Sequence, residues 1–263
     1  MNKLSSKFVP NHIPVQKNEL LKLQEFVNSC SSLFVLTGAG VSTESGIPDY
    51  RSEGVGLYAR SNSRPMKIQQ FIASDLMKKR YWARNFIGWP YFSSLKPNNT
   101  HITLFNWEKY RKINWLVTQN VDSLHLKAGS ERVTQLHGTG YVVKCLDCNY
   151  TVSRHDYQKK LKEVNKDFEH EMTLVRPDGD VDISDEKIQS FVIPPCPECG
   201  GMVKPDIVFF GDNVPKKIVE FAYAKVKESD GVLIAGSSLQ VFAAVAFHNN
   251  HYDHEDDLAE LFS

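Results

Sequence analysis

The chain has 263 residues, with 31 Lys+Arg set against 31 Asp+Glu, 41% hydrophobic and 24% charged residues. That balance excludes a protein that holds nucleic acid mainly by phosphate electrostatics, and the apolar content excludes a disordered chain. No apolar run approaches the roughly 18 residues of a membrane span, so no membrane partner is expected.

Residues 1–17 carry Lys3, Lys7 and Lys17 and no acid, the composition of a leader, targeting or otherwise. Asn18 is placed to cap a helix through Ser29, with Leu20, Leu23 and Val27 on one face. The runs Leu33–Leu36, Trp115–Thr118 and Val232–Ala235 read as strands buried on both faces. Between them, Pro215–Glu228 repeats Ile218, Ala222 and Val226 at helical spacing. Strands alternating with helices predict an α/β doubly wound parallel sheet. Two stretches break that alternation and read as insertions: 51–99, with helical pieces around Ile68–Phe86, and 141–204.

Four of the five cysteines form two C-x-x-C pairs, Cys145/Cys148 and Cys196/Cys199. Two such turns can complete a tetrahedral four-thiolate zinc site, with no position left for water and so a structural role. Redox chemistry is the alternative, although a redox dithiol ordinarily stands alone. Gly200 and Gly201 suit a tight knuckle beside Cys199, and Cys30 reads as a small core residue. Thr37-Gly38-Ala39-Gly40-Val41-Ser42 follows a strand, where backbone N–H groups can cradle phosphates. It lacks the third glycine of the dinucleotide fingerprint, so a plain tight turn is equally compatible. The continuation through Asp49 and Arg51, in a turn set by Gly46 and Pro48, is more elaborate than a connector requires.

Taken in order, several segments resemble the sirtuin family. They are Gly38-Ala39-Gly40 through Ser45-Gly46-Ile47-Pro48-Asp49-Tyr50-Arg51, Thr118-Gln119-Asn120-Val121-Asp122, Leu136-His137-Gly138 and the two cysteine pairs. Lys204 through Asp212 and Gly236-Ser237-Ser238-Leu239 extend the likeness. Tyr81-Trp82-Ala83-Arg84-Asn85-Phe86 is similar to the class II branch, the mitochondrial sirtuin-four type. The resemblance implies a Rossmann-like parallel sheet with a smaller inserted zinc-binding domain. Its parts are a discontinuous NAD domain (18–50, 100–140 and 205–247), a helical insertion (51–99), a zinc module (141–204) and a polar tail (248–263).

The implied activity is NAD⁺-dependent protein-lysine deacylation, with acyl transfer to ADP-ribose and nicotinamide release. Mono-ADP-ribosyl transfer and lipoamide cleavage belong to the same implied repertoire. NAD⁺ and Zn²⁺ are the implied cofactors, acyl-lysine proteins the partners, and the mitochondrial matrix the location. Oligomeric state is not legible.

By the same resemblance, His137 is the general base, with Asn120 beside it. Gly38, Ala39, Gly40, Thr43, Ile47, Pro48, Asp49, Tyr50, Arg51, Gln119, Asn120, Asp122, Gly236, Ser237 and Ser238 are implied to hold NAD⁺. Phe209, Phe210 and Gly211 match the strand that pairs with the substrate backbone, an ordinary core strand being the plainer reading. Tyr81 and Arg84, three apart on one helix face, match a pair that selects acidic acyl groups; surface helix residues are the plainer reading. The pattern departs at Thr139-Gly140-Tyr141, and again after Val241, where the chain runs into an acidic, histidine-rich tail. That ending gives the expectation of an incomplete adenine site, and, as the alternative function, a non-catalytic product acting through protein contacts.

Overall fold

The computed structural model describes residues 5–62, 64–168, 176–179 and 188–239. Helix α1 (Lys17–Ser29) leads into β1 (Leu33–Thr37) and a 3₁₀ helix (Ala39–Ser45). Helices α2 (Leu57–Arg60), α3 (Ile68–Ala73), α4 (Asp75–Ser94) and α5 (Asn99–Lys109) follow, then β2 (Ile113–Thr118), α6 (Leu124–Ala128) and β3 (Val133–Gln135). Strands β4 (Gly138–Cys145) and β5 (Thr151–Ser153), helix α7 (Arg154–Val164) and β6 (Val203–Ile207) build a second unit. Helix α8 (Lys216–Lys227) and β7 (Gly231–Ala235) return to the first.

The main sheet is parallel, in the order β3-β2-β1-β7. Strand alternation divides its two faces. Phe34 and Leu36 of β1 pack with Ala222 and Val226 of α8, while Leu33 and Val35 pack with Val27, Cys30 and Leu104 on the other side. Covered on both faces, β1 has no polar side and reads as an unbroken apolar run. The second sheet is antiparallel, β5-β4-β6, and shares a core with α3, α4 and α7. No described helix is long and apolar enough to cross a membrane.

Helix α1 and strand β6 depart from their expected reading. Within 1–17, Ser5–Phe8 forms a 3₁₀ turn in which Phe8 is buried, and the Arg60 guanidinium lies 4.8 Å from its ring. Helix α1 starts at Lys17, with the Gln16 N–H donating to Glu19 (2.9 Å), rather than being capped by Asn18. Leu20 and Leu23 stay nearly half exposed, because the helix meets the sheet only through its last turn, at Val27 and Cys30. The helical pieces expected around Ile68–Phe86 are α3 and α4, parted at Ser74, whose hydroxyl accepts the Met77 N–H and caps α4. Strand β6 carries Pro205–Ile207 into the small sheet and stops short of Phe209.

Helix α4 also runs through Pro90 to Ser94. Proline has no N–H to give the carbonyl four residues back, and Gln158 of α7 donates to that carbonyl, Phe86, at 2.9 Å. The tail from Gln240, with His248, His251 and His254, lies outside the described residues.

Candidate active site and thiol cluster

Strand β1 has β2 on one side and β7 on the other, so the chain steps outward from β1 through β2 to β3 and the connection into β7 returns to the opposite side of β1. A crevice opens at such a switch point, beyond the carboxyl ends of the strands. The Ala39–Ser45 turn and the Gly236–Ser238 loop meet there, with Gly40 N–H donating to the Gly236 carbonyl (2.8 Å). A β-carbon on Gly38 would fall 2.7 Å from the Gly236 oxygen, and one on Gly40 2.9 Å from Gly236 Cα. Gly236 itself has φ +61, and its β-carbon would fall 2.3 Å from Val41 N. The three glycines are therefore fixed by backbone-to-backbone approach.

The cleft has a volume of about 1750 Å³. A small-molecule site usually occupies ~300–1,000 Å³, so there is room for a dinucleotide and an inserted side chain together. Its walls include Ala39, Gly40, Thr43, Ile47, Asp49, Tyr50 and Arg51, with Gln119, Asn120, Asp122, His137, Gly236, Ser237 and Ser238. Phe209, Phe210, Gly211 and Tyr81 line it as well. Of the residues singled out in the sequence, Gly38 and Pro48 are close by in chain but off the lining, and so is Arg84. Tyr81 reaches the lining while packed against Phe71, Trp82 and Phe209.

The polar groups are held in place by one another. Asn120 donates to the Gly38 carbonyl and to Ser42 Oγ (both 3.1 Å), and Ser42 donates to Asp122 Oδ2 (2.7 Å). Burial raises the Asp122 carboxyl, and bonds from the Leu124 N–H and Ser42 work against that rise. Asp49 accepts from the N–H groups of Arg51 and Ser52, while Arg51 Nη1 donates to Ser238 Oγ (3.2 Å) and links the two loops. Ser237 donates to Gln119 Oε1 (2.9 Å), leaving Gln119 Nε2 buried without an acceptor. An orphan donor and a close-packed glycine cradle together suit a polar ligand that carries phosphates.

His137 Nδ1 lies 2.9 Å from the Gln119 carbonyl. A carbonyl only accepts, so this contact assigns the proton to Nδ1 and leaves the Nε2 lone pair for the cleft. Burial lowers the His137 pKa, with the Gln119 bond opposing the shift, which favours the neutral ring.

Sequence reasoning missed Ser42, Pro10 and the Pro177–Asp178 pair. Ser42 stands within the glycine run and had a signal in that position. Pro10 and Asp178 reach the cleft through tertiary placement, which no local pattern encodes.

The four thiols converge at the far end of the small sheet. All Sγ atoms lie within 4.8 Å of one another, with Cys145–Cys199 at 3.5 Å and Cys148–Cys196 at 3.6 Å. A disulfide would need ~2.05 Å, whereas ~2.3 Å zinc–sulfur bonds in a tetrahedron give edges close to those observed. Backbone N–H groups of Asp147 and Gly201 donate to Cys145 and Cys199, and Gly200 adopts φ +72 at the turn. Thiolates already supplied with donors, two from each arm, fit Zn²⁺ with no place for water.

Residues 38–243 match the Sir2 family. The chain is 53% identical over 237 residues to the Drosophila melanogaster NAD-dependent protein deacylase Sirt4, covering 90% of this chain and 76% of that one. It is 50% identical over 240 residues to the human NAD-dependent protein lipoamidase sirtuin-4, mitochondrial, with 91% and 76% covered. A solved Sir2–p53 peptide–NAD⁺ complex superposes with a TM-score of 0.65 at 28% identity, covering 86% of this chain and 79% of that chain. Since the matched span begins at the first glycine of the cradle and continues beyond β7, the cleft and the thiol cluster share one lineage, and the chain belongs to the Sir2 family.

Proposed function

We propose that the chain is an NAD⁺-dependent protein-lysine deacylase. The observation that carries this reading is the pairing of His137 with the Gln119 carbonyl, in a cleft bounded by two interlocked glycine loops. NAD⁺, when bound, supplies a glycosidic C–N bond whose cleavage frees nicotinamide and activates the ribose toward the acyl oxygen.

The chain's own residues supply binding and alignment. Gly38, Gly40 and Gly236 let the two loops close on each other backbone to backbone at the phosphate end, and Gln119 Nε2 offers the spare donor. Thr43, Ile47, Asp49, Tyr50, Arg51, Asp122, Ser237 and Ser238 shape the surrounding pocket, with Pro48 setting the turn between Ile47 and Asp49. Asn120 is held by Gly38 and Ser42 in one orientation, and neutral His137 takes a proton from a ribose hydroxyl through Nε2. Phe209 and Tyr81 keep water from the reacting centre, where positioning of a weak amide nucleophile supplies much of the acceleration. Phe210 and Gly211 flank the peptide entrance, and the exposed Phe210 ring is open to a substrate backbone.

The relatives' names support an acyl scope that reaches lipoyl amides, and they support a mitochondrial location. We place the activity in the matrix, where a reducing interior keeps four thiols available to metal. The test is incubation of the chain with NAD⁺ and acyl-lysine peptides, followed by mass spectrometry. Acyl loss tied one-for-one to nicotinamide release is expected. Acyl loss without NAD⁺, or NAD⁺ binding without acyl loss at any peptide, would overturn the reading.

A further inference from the structure

Part of the cleft wall comes from outside the span that matches the Sir2 family. That span begins at Gly38, whereas Pro10 lines the cleft, and Phe8, two residues before it, is 3% exposed. A ring at the end of a four-residue 3₁₀ turn has no core of its own and must be buried against the main body. Arg60 receives it: the guanidinium lies 4.8 Å from the ring centroid, while Arg60 Nε donates to the Val55 carbonyl (2.8 Å). A guanidinium oriented by a lateral hydrogen bond and laid over a ring is a cation–π pair.

Arg60 is the last residue of α2, and the first turn of that helix holds the cleft lining. The Leu57 N–H donates to the Asp49 carbonyl (2.8 Å), and the Tyr58 N–H to the Tyr50 carbonyl (2.9 Å). The Tyr50 ring rests between Tyr58 and Phe210, with centroids 5.9 Å from each. Gly56 N–H closes the loop on the Ser52 carbonyl (2.8 Å). Residues 49–60 thus form one self-bonded unit, and displacement of α2 displaces the Asp49 and Tyr50 backbone with it.

That unit is thinly anchored. Between Asp49 and Arg60 the one buried side chain is Leu57, at the start of α2. Segments with few buried apolar contacts are the first to open. Leu57 fixes the near end of α2, and the Phe8–Arg60 contact fixes its far end.

We propose that Phe8 is a positioning residue for the cofactor site, which through Arg60 holds the 49–60 loop where Asp49, Tyr50 and Arg51 meet NAD⁺. The identity of the ligand rests on the deacylase reading. Phe8 is absent from the cleft lining, so it acts through Arg60 rather than by touching the cofactor.

The experiment uses the full chain as wild type, Phe8→Leu, Phe8→Tyr, Arg60→Gln and the Phe8→Leu/Arg60→Gln double variant. Leucine keeps apolar bulk and removes the ring face, whereas tyrosine keeps the ring. NAD⁺ affinity is measured by calorimetry, and amide hydrogen exchange across 49–60 is followed without NAD⁺. Zinc content controls for folding of the small sheet. Phe8→Leu is expected to weaken NAD⁺ binding about fivefold, ~1 kcal/mol, the scale of one partly desolvated cation–π contact. Exchange across 49–60 should quicken, and KM for an acyl-lysine peptide at saturating NAD⁺ should change less than KM for NAD⁺.

Phe8→Tyr is expected to keep both the affinity and the slow exchange. The double variant should bind NAD⁺ no more weakly than Arg60→Gln alone, because both changes break the same contact. Wild-type affinity and exchange in Phe8→Leu, or losses that add in the double variant, would overturn the inference and leave the deacylase reading intact. A wild type that binds no NAD⁺ overturns the deacylase reading itself.

Discussion

His137 combines a lowered pKa with a fixed tautomer, and both follow from its placement against the Gln119 carbonyl. A base must be neutral to accept a proton, so activity is lost as pH falls through its folded pKa. That value lies below the ordinary ~6.5 of histidine, and the acidic limb of kcat/KM is accordingly expected below pH 6.5. A limb above 7 would remove His137 as the titrating base. His137→Tyr is expected to abolish acyl transfer while leaving zinc content unchanged; retained turnover would point to another base. Gly40→Ala tests the cradle independently. Its β-carbon meets the Gly236 backbone at 2.9 Å, a contact only main-chain movement relieves. NAD⁺ binding measured calorimetrically is expected to weaken at least about tenfold, ~1.4 kcal/mol, and the thermal midpoint to fall as the two loops are forced apart.

At the scale of elements, α5 and α6 meet through two buried imidazoles. His101 and His125 have ring centroids 4.7 Å apart; His101 bonds Asn98 and His125 bonds Thr37 at the end of β1. Burial lowers His101 to about 4, and burial together with the neighbouring ring lowers His125 to about 3. The unfolded chain, titrating near 6.5, binds more protons between those limits. Stability is thus complete above pH ~6.5 and declines as pH falls toward 4, at up to ~1.4 kcal/mol per unit for each ring. Denaturant titrations at pH 7, 6 and 5 read this before most carboxylates protonate; a flat profile would refute it.

The elements themselves differ in how far they could be read. Strands β1, β2 and β7 are legible because burial on both faces leaves an uninterrupted apolar run. The half-exposed leucines of α1 and the passage of α4 through Pro90 are not, since each depends on a partner distant in sequence. Motif residues such as Gly40, Asn120 and His137 are legible by type and order. Arg154 carries no motif, and only its tertiary surroundings of two tryptophans and an asparagine distinguish it.

Across the whole molecule, the thiol cluster and the cleft sit at opposite ends of the same two strands. Strand β4 runs from Gly138, beside His137, to Cys145, while β6 pairs with it from Val203, opposite Cys145, to Ile207, opposite Gly138. The ladder continues at the cleft end, where the Val208 N–H donates to the His137 carbonyl (2.8 Å). A four-thiolate zinc has no open position and can do no chemistry on the substrate. It can fix the register of β4 against β6, and that register sets both His137 and the Phe209 wall. Structural zinc binding is worth about 10–16 kcal/mol near neutral pH, more than a small three-stranded sheet supplies alone. Removal of zinc by a chelator, or Cys196→Ser, is therefore expected to abolish deacylation even though the cysteines lie outside the cleft. NAD⁺ affinity should fall less, because the glycine cradle belongs to the parallel sheet with its own core of Phe34, Leu36, Ala222 and Val226. Near-ultraviolet circular dichroism would report the loss of aromatic packing around Trp82 and Tyr157, whose rings lie 4.8 Å apart. Full activity in a zinc-free chain would show that the antiparallel sheet holds its register unaided.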